Sequence, residues 1–243
     1  MIAYLPRVVP ALALSLCLAA PASAVPAHAP SVGAPAGPRP VGAALRSAPA
    51  SATDVPLFQA LSWIEEAEEG SREGYSREQF KHWNRGLNPS DGCDTRKEVI
   101  LSEALEAPEV GPKCALTGGR WWSEYDQKWI MSAKELDVDH MVPLAEAWDS
   151  GAATWTAARR EAYANDQGAP NSLIAVSGGS NRSKSDKDPA AWMPVEADRC
   201  KYVVDWVADK LRWRLSADAA ELQALSHHAE SCPTATVTYQ QVP

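Results

Sequence analysis

The sequence has 243 residues, enough for one globular domain with terminal extensions. Its 23 basic and 31 acidic residues give a formal net charge of −8, which argues against a protein that holds nucleic acid by bulk positive charge. Arg7, Arg39 and Arg46 precede the first acidic residue, Asp54, so the chain from there onward has 20 basic against 31 acidic residues. Any polyanion would have to be bound by a local basic patch.

The beginning of the chain has the pattern of an export signal. Arg7 precedes an apolar run over residues 8–20, which is shorter than the roughly 20 residues that cross a bilayer. Ala22-Ser23-Ala24 offers a cleavage site, with Ala27-His28-Ala29 as a second option. We predict a signal peptide over residues 1–24 and a secreted, extracellular protein without a membrane anchor after cleavage.

The next segment, residues 25–53, consists almost entirely of Ala, Pro, Gly, Ser and Val. It has no aromatic residues and no periodic apolar positions, so it cannot bury a core and is typical of a flexible linker. We therefore expect the folded domain over residues 54–243.

Four cysteines follow the predicted signal peptide: Cys93, Cys114, Cys200 and Cys232. An even number in an exported chain indicates disulfides, whereas the wide spacings without a Cys-x-x-Cys pair disfavour zinc. Four cysteines allow three pairings. We favour Cys93 with Cys114 and Cys200 with Cys232, because each pair closes a local loop at one end of the candidate catalytic segment.

Hydrophobic periodicity predicts a mixed fold. Helices are expected over 55–69, 96–105, 144–148, 154–165 and 217–228, with a long one after Pro194 and a short one opened by Ser76-x-x-Gln79. A hairpin is expected over 121–131, and strands over 136–140 and 172–176. Residues 177–180 should break the second strand before a helix from Asn181 to about Asp186. The fold class is therefore α+β, mostly helical, with a small sheet near the middle.

Residues suited to phosphodiester chemistry lie at the junctions of these central elements. Asp139 and His140 end one strand, Asn171 begins the next, Asn181 opens the following helix, and Lys184 shares that helix face. An imidazole can act as a base near neutral pH. Carboxylate and amide oxygens suit Mg²⁺ or Mn²⁺. Asn171 would orient the base, and Lys184 could contact a phosphate.

Strand geometry constrains this site. Asp137 and Asp139 share one face of a strand, while His140 points to the other, so a site that uses both 139 and 140 needs the strand to end or twist there. Pro143, with Val142 biased toward an extended conformation, makes such an end plausible. Asp137 is then a supporting residue or an alternative metal ligand.

Three ordered segments resemble the HNH (His-Me finger, ββα-metal) endonucleases, including the HNH domain of RNA-guided CRISPR nucleases. They are Asp137-Val-Asp-His-Met-Val-Pro, Asn171-Ser-Leu-Ile-Ala-Val and Asn181-Arg-Ser-Lys-Ser-Asp-Lys. The chain is more similar still to exported bacterial HNH endonucleases of the GmrSD C-terminal-like group. That likeness covers about residues 61–232 and includes Gly74-Tyr-Ser-Arg, Phe80-x-His-Trp, Cys93-Asp-Thr-Arg, Pro143-Leu-Ala-Glu-Ala-Trp and Asp188-Pro-Ala-Ala-Trp.

The resemblance implies a disulfide-stabilised domain around a ββα-metal core at about 134–188. It implies a metal-dependent endonuclease with little sequence specificity, acting on DNA and as a further candidate RNA, and leaving 5′-phosphate ends. His140 would be the base and Asp139 and Asn181 would hold Mg²⁺, with Mn²⁺ as the alternative. We expect Arg182 and Lys187 to contact nucleic acid, and a monomer without a protein partner.

Three alternatives stay open at this point. Asn165, rather than Asn171, could orient the base, because the stretch before Asn171 is long. An exported hydrolase of cell-wall peptides would want a His-rich zinc set, and His140 alone is suitably placed for one. A binding module on the same scaffold would be expected to lack a catalytic residue, and every type needed is present.

Overall fold

A computed structural model describes residues 48–243; the predicted signal peptide and residues 25–47 of the predicted linker lie outside them. Each strand in this part of the chain pairs antiparallel with one partner, as β1–β8, β2–β3, β4–β5 and β6–β7. The strands are β1 (Ser51–Pro56), β2 (Glu109–Gly111), β3 (Ala115–Thr117), β4 (Trp121–Ser123), β5 (Lys128–Ile130), β6 (Leu136–His140), β7 (Leu173–Ser177) and β8 (Thr236–Gln240). The helices are α1 (Leu57–Leu61), α2 (Thr95–Ser102), α3 (Leu144–Asp149), α4 (Ala157–Ala164), α5 (Gly178–Lys184), α6 (Arg199–Trp213) and α7 (Ala219–Ala229).

The central unit of the fold is the β6–β7 pair followed directly by α5. The register runs from Leu136 opposite Ser177 to His140 opposite Leu173. Ser177 ends β7 and also caps α5, because its hydroxyl accepts a hydrogen bond from the Ser180 amide at 3.1 Å. Helix α5 therefore follows β7 without a connecting loop, and Lys184 at its last position reaches the carbonyls of His140 and Met141 at the end of β6.

Two apolar clusters fix this unit from opposite sides. Along β7, Ile174 and Val176 enter the larger cluster, which is built around α6, while Leu173 and Ala175 enter the smaller one beside α2. A strand buried on both faces cannot slip by one residue without moving its whole apolar set. The side chains at the end of β6 are consequently held in register.

A buried ionic network anchors α3, the helix that follows the end of β6. The Lys210 ammonium, on α6, donates to Glu146 on α3 at 2.9 Å and to Glu221 on α7 at 2.8 Å. It also donates to the Ser150 hydroxyl at 2.8 Å. All four side chains are buried, so breaking one pair would leave an uncompensated charge.

Most of the elements expected from the sequence are present. The hairpin over 121–131 is β4 and β5, the strand over 136–140 is β6, and the helices after Pro143 and Pro194 are α3, α4, α6 and α7. Disulfides join Cys93 to Cys114 and Cys200 to Cys232, the pairing that the sequence favoured. The described chain thus contains helices, small antiparallel sheets and two disulfides.

Several predicted boundaries are wrong. The helix expected over 55–69 ends at Leu61, and residues 51–53, assigned to the linker, belong to β1. The helix expected at Ser76 is a single 3₁₀ turn, Arg77–Gln79, which the Ser76 side chain does not cap. Helix α5 begins at Gly178 rather than Asn181, because the Ser177 hydroxyl supplies the cap one residue before the two glycines.

Candidate active site

A cavity of about 440 Å³ lies where β6 ends against α5. The predicted base and both predicted metal ligands line it, together with further charged side chains from the loop before α2 and the end of α5. The polar lining includes Arg77, Asp139, His140, Asn181, Arg182 and Asp186. In a regular strand, residues 139 and 140 would point to opposite faces. Because β6 ends at His140, both residues line this cavity.

One nitrogen of His140 is anchored. Nε2 lies 3.0 Å from the carbonyl oxygen of Ala164. A carbonyl can only accept, so Nε2 carries the hydrogen and the neutral ring keeps its lone pair on Nδ1. Nδ1 has no hydrogen-bond partner among residues 48–243. Burial lowers the pKa of His140 to about 3, so the ring is neutral and its lone pair stays on Nδ1.

Two aromatic rings hold the imidazole of His140 between them. Trp83 stacks on one face at 5.4 Å between ring centroids, and Tyr163 on the other at 6.2 Å, each tilted by 19°. The Tyr163 hydroxyl donates to the carbonyl of Val142, which fixes its ring. Trp83 has a φ of +57°, a backbone conformation that side chains rarely adopt, so the surrounding loop must be held firmly.

Asn165 holds that loop. Its side-chain amide donates to the Lys81 carbonyl at 2.9 Å, and its oxygen accepts from the Asn84 amide at 2.9 Å. These bonds fix the chain on either side of Trp83, whose ring stacks on His140. Asn171 instead donates to the Asp205 carbonyl at 3.4 Å, and no hydrogen bond in the described chain joins it to the imidazole. The orienting role expected for Asn171 therefore fits Asn165 better.

Asp139 and Lys184 form a buried pair beneath the cavity. Asp139 Oδ2 accepts from Lys184 Nζ at 2.5 Å and from the Tyr125 hydroxyl at 2.8 Å. Burial raises the pKa of Asp139, and the Lys184 ammonium opposes this shift. Lys184 also donates to the carbonyls of His140 and Met141, each at 2.9 Å. Its three hydrogens are used and its side chain is 0% exposed, so the predicted contact with a phosphate does not fit; Lys184 positions Asp139 instead.

The donor set of the cavity suits a hard divalent cation. Asp139 Oδ1 accepts no hydrogen bond from the described residues, and neither does the side-chain oxygen of Asn181, whose amide donates to Asp137 at 3.4 Å. Both residues line the cavity. Mg²⁺ commonly takes one or two protein oxygens and keeps several waters. Between residues 48 and 243 no three His, Cys, Asp or Glu side chains converge in a metal-binding group, so the pair of Asp139 and Asn181 is the set to consider.

The predicted supporting and nucleic-acid-binding residues differ in placement. Asp137 is part-exposed and lies 3.8 Å from Arg182, whose side chain is 75% exposed at the cavity rim. Lys187 donates to the Ser183 carbonyl at 2.9 Å on the exposed end of α5 and is not part of the cavity lining. Arg182 is therefore at the site, and Lys187 is beyond it.

Arg77 is a cavity residue that motif reasoning did not select. Its Nε donates to His82 Nε2 at 3.1 Å, and His82 Nδ1 in turn donates to the Phe80 carbonyl at 2.6 Å. The guanidinium forms no ion pair with any described carboxylate, so its terminal nitrogens remain available. The motif Gly74-Tyr-Ser-Arg contained the residue, but its position opposite His140 depends on the fold.

Residues 78–227 match the family described as GmrSD restriction endonucleases, C-terminal domain, and the chain belongs to this family of nuclease-type domains. It is also similar to a protein of Arthroderma benhamiae described as an uncharacterized secreted protein, with 38% identity over 173 residues, 71% of this chain and 82% of the relative. No solved structure gives a significant match. Among residues 48–243, no helix is long and apolar enough to cross a membrane.

Proposed function

We propose that this chain is a secreted, metal-dependent HNH endonuclease that hydrolyses DNA, and RNA as a further candidate, with little sequence specificity. One observation carries the proposal: His140, Asp139, Asn181 and two arginines, Arg77 and Arg182, all line one cavity. This combination supplies a base, a cation-binding pair and phosphate-binding groups. The membership of a nuclease-type family supports the same conclusion.

The unit β6–β7–α5 is our candidate for the ββα-metal core. It has two antiparallel strands, separated in sequence by α3 and α4, and a helix that follows the second strand directly; the candidate base and ligands lie where the first strand ends and on the helix. The sequence expectation placed this core at about 134–188, and the three elements span 136–184. The likeness to exported HNH endonucleases of bacteria remains part of this proposal.

In the proposed reaction His140 Nδ1 takes a proton from a water molecule as its oxygen attacks phosphorus. The P–O bond to the 3′ oxygen breaks, that oxygen receives a proton from solvent, and a 5′-phosphate remains. The hydrogen bond from Nε2 to Ala164 keeps Nδ1 directed at the cavity while charge develops on the ring. The stacked rings of Trp83 and Tyr163 limit its rotation.

Asp139 and Asn181 would hold Mg²⁺ or Mn²⁺. Such a cation supplies charge stabilisation at the scissile phosphate and at the departing oxygen. Lys184 and Tyr125 both donate to Oδ2 of Asp139. Oδ1 would therefore be free to bind the cation without a change in the side-chain conformation. Preorganisation of this kind lowers the cost of assembling the charged site.

Arg77 and Arg182 provide the local basic patch that an acidic protein needs to bind a polyanion. They flank the cavity from the loop before α2 and from α5. Because His82 holds Nε of Arg77, the two terminal nitrogens can form a fork to phosphate oxygens. A catalyst gains from binding the phosphate at the reacting centre and needs little affinity elsewhere.

Secretion is supported by two further observations. The relative from Arthroderma benhamiae is described as secreted, and the chain has two disulfides, which persist in oxidising compartments. The proposed signal peptide, residues 1–24, lies outside the described residues.

A substrate and metal panel tests the proposal. Supercoiled plasmid, single-stranded DNA and RNA are incubated with the wild-type protein in Mg²⁺, in Mn²⁺ and in EDTA. We expect nicking of plasmid in the presence of metal, none in EDTA, and 5′-phosphate ends on the product. Cleavage that is indifferent to chelator, or no cleavage of any of the three nucleic acids with either metal, would overturn the proposal.

A further inference from the structure

A second cavity, of about 680 Å³, lies on the other side of α5. This volume is within the range of about 300–1,000 Å³ that small-molecule sites occupy. Its walls come from the β4–β5 hairpin, the beginning of β6, the first turns of α5 and the segment before α6. Neither the proposed base, His140, nor the proposed metal ligands Asp139 and Asn181 line it, so the cavity itself has no role yet in the reaction described above.

Helix α5 forms part of the wall of both cavities. Arg182 lines both, and on β6 Asp137 lines the second cavity while Asp139 lines the first. Tyr125 also joins them, because its ring lines the second cavity and its hydroxyl donates to Asp139 at 2.8 Å. A strand whose phosphate lay in the first cavity would therefore meet Arg182 and the second cavity next.

The lining of the second cavity suits an uncharged, flat group. Trp192, which is half-buried, gives it aromatic surface, and the buried ring of Tyr125 supports Trp192 at 5.3 Å between ring centroids. The charged side chains cancel, and they are Lys128, Lys134, Arg182, Asp126, Glu135 and Asp137. A phosphate would gain little from a neutral lining, whereas a nucleobase gains from aromatic surface and from polar groups at its edges.

We propose that the second cavity binds the base of the nucleotide adjacent to the scissile phosphate. Arg182, which lines both cavities, contacts the sugar–phosphate backbone of the bound strand where it passes from one cavity to the other. Trp192 supplies the surface on which the base packs, and the buried Tyr125 ring holds Trp192 in place. This subsite accepts any base, because aromatic packing does not read the hydrogen-bonding edge. The inference rests on the proposed nuclease function, whose site supplies the neighbouring phosphate.

The test uses a short oligodeoxynucleotide with one natural phosphodiester linkage. All of its remaining linkages are uncharged methylphosphonates. The single charge fixes which linkage occupies the first cavity. Two further versions carry an abasic residue, one on the 5′ side and one on the 3′ side of that linkage. Binding is measured by fluorescence anisotropy in EDTA, and kcat/KM for cleavage is measured with Mg²⁺.

For the wild-type protein we expect one of the two abasic versions to bind about tenfold more weakly and to lose a similar factor in kcat/KM. Trp192→Leu should abolish the difference between the intact and abasic versions. Trp129→Leu is the matched control, since Trp129 is 51% exposed on β5 and does not line the cavity; it should keep the difference.

A second variant keeps the test decisive if Trp192→Leu does not fold. Val195 lies on the cavity wall with 39% exposure, so Val195→Trp fills the cavity without removing a buried side chain. It should also abolish the difference. Equal binding of all three oligonucleotides by the wild type, or an unchanged difference in Val195→Trp, would overturn the subsite.

The subsite and the nuclease proposal fail in different ways. Wild-type protein that distinguishes the abasic version in EDTA but cleaves nothing with metal would keep the subsite and refute the nuclease. Cleavage without any effect of the abasic residues would keep the nuclease and refute the subsite. Absence of both binding and cleavage would refute both.

Discussion

At the residue scale, Lys184 shows how burial changes the meaning of a charged side chain. On a surface helix a lysine near a nuclease motif would be a phosphate contact, but here its ammonium is enclosed by the Asp139 carboxylate and two backbone carbonyls. It neutralises a buried acid and sets the direction of Oδ2. The free oxygen of Asp139 is oriented as a consequence.

Lys184→Met should lower the free energy of unfolding by about 3–5 kcal/mol, because it leaves the Asp139 carboxylate buried without its cation. Lys187→Met, three residues beyond the end of α5, is the control. Its ammonium meets only the Ser183 carbonyl at an exposed position, so we expect a change below about 0.5 kcal/mol. Urea unfolding of both variants measures the difference, and similar values would contradict the role of Lys184.

Asn165→Ala should reduce kcat by at least about tenfold with a smaller effect on KM, because the loop that carries Trp83 would no longer be held against His140. Asn171→Ala should stay within about twofold of the wild type, since its single side-chain hydrogen bond is to the Asp205 carbonyl and not to the imidazole or to the loop that carries Trp83. Steady-state kinetics of the two variants decide between them. The opposite order would restore Asn171 as the orienting residue.

At the element scale, the sequence predicted what local patterns encode. β6 was predicted with the bounds it has because the strand-like segment Leu136–His140 is stopped by Pro143, and α6 because Val203, Val207 and Leu211 recur at helical spacing. β1 was missed because its partner β8 lies about 180 residues away, and no local pattern encodes such a pairing. The length of the first helix was overestimated for the same reason.

The candidate site likewise contains residues that a local motif reveals and residues that only the fold brings into place. Asp139, His140 and Asn181 were found because their spacing around β6 and α5 forms a recognisable motif, and all three line one cavity. Arg77 was not selected, since a loop arginine reaches the site only through the hydrogen bond to His82 and the packing of the loop. The burial of Lys184 likewise depends on α6 and the β4–β5 hairpin, which the motif does not contain.

Glu103, just after α2, gives a pH test of the contact between α2 and β7. Its Oε2 accepts from the Ala175 amide at 2.9 Å, and burial raises its pKa to about 7. The folded state thus keeps a proton that the unfolded chain loses near pH 4.5. The stability that this group contributes is complete below about pH 4.5 and is lost as the pH rises through about 7.

Glu103→Gln keeps the shape of the side chain and removes this titration. The variant should resemble the wild type at pH 5 and have the higher Tm at pH 8, by about 2–4 °C for each kcal/mol gained. Thermal unfolding at the two pH values measures the effect. A Tm difference that is the same at pH 5 and pH 8 would contradict the assigned pKa.

At the scale of the whole molecule, an acidic chain of net charge −8 must bind its substrate through few contacts. Arg77 and Arg182 predict a shallow salt dependence, with a slope of log K against log [salt] of about −1.8 for two phosphates on duplex DNA. Arg77→Ala should reduce the magnitude of that slope by about 1. Arg214→Ala is the control, because the Arg214 guanidinium donates to Gln241 away from the cavity, and it should leave the slope unchanged. An equal reduction of the slope in both variants would refute the basic patch. Binding of a short duplex in EDTA at several salt concentrations gives the slopes.

The central claim is that His140 activates water, and the most direct measurement is single-turnover cleavage by His140→Ala with Mg²⁺. Loss of a general base should lower the rate by about 10²–10⁴, while thermal unfolding shows that the fold is retained. His227→Ala, which removes a histidine from the last turn of α7, serves as the control and should cleave at the wild-type rate. Cleavage by His140→Ala within tenfold of the wild type, in protein free of contaminating nuclease, would contradict the account.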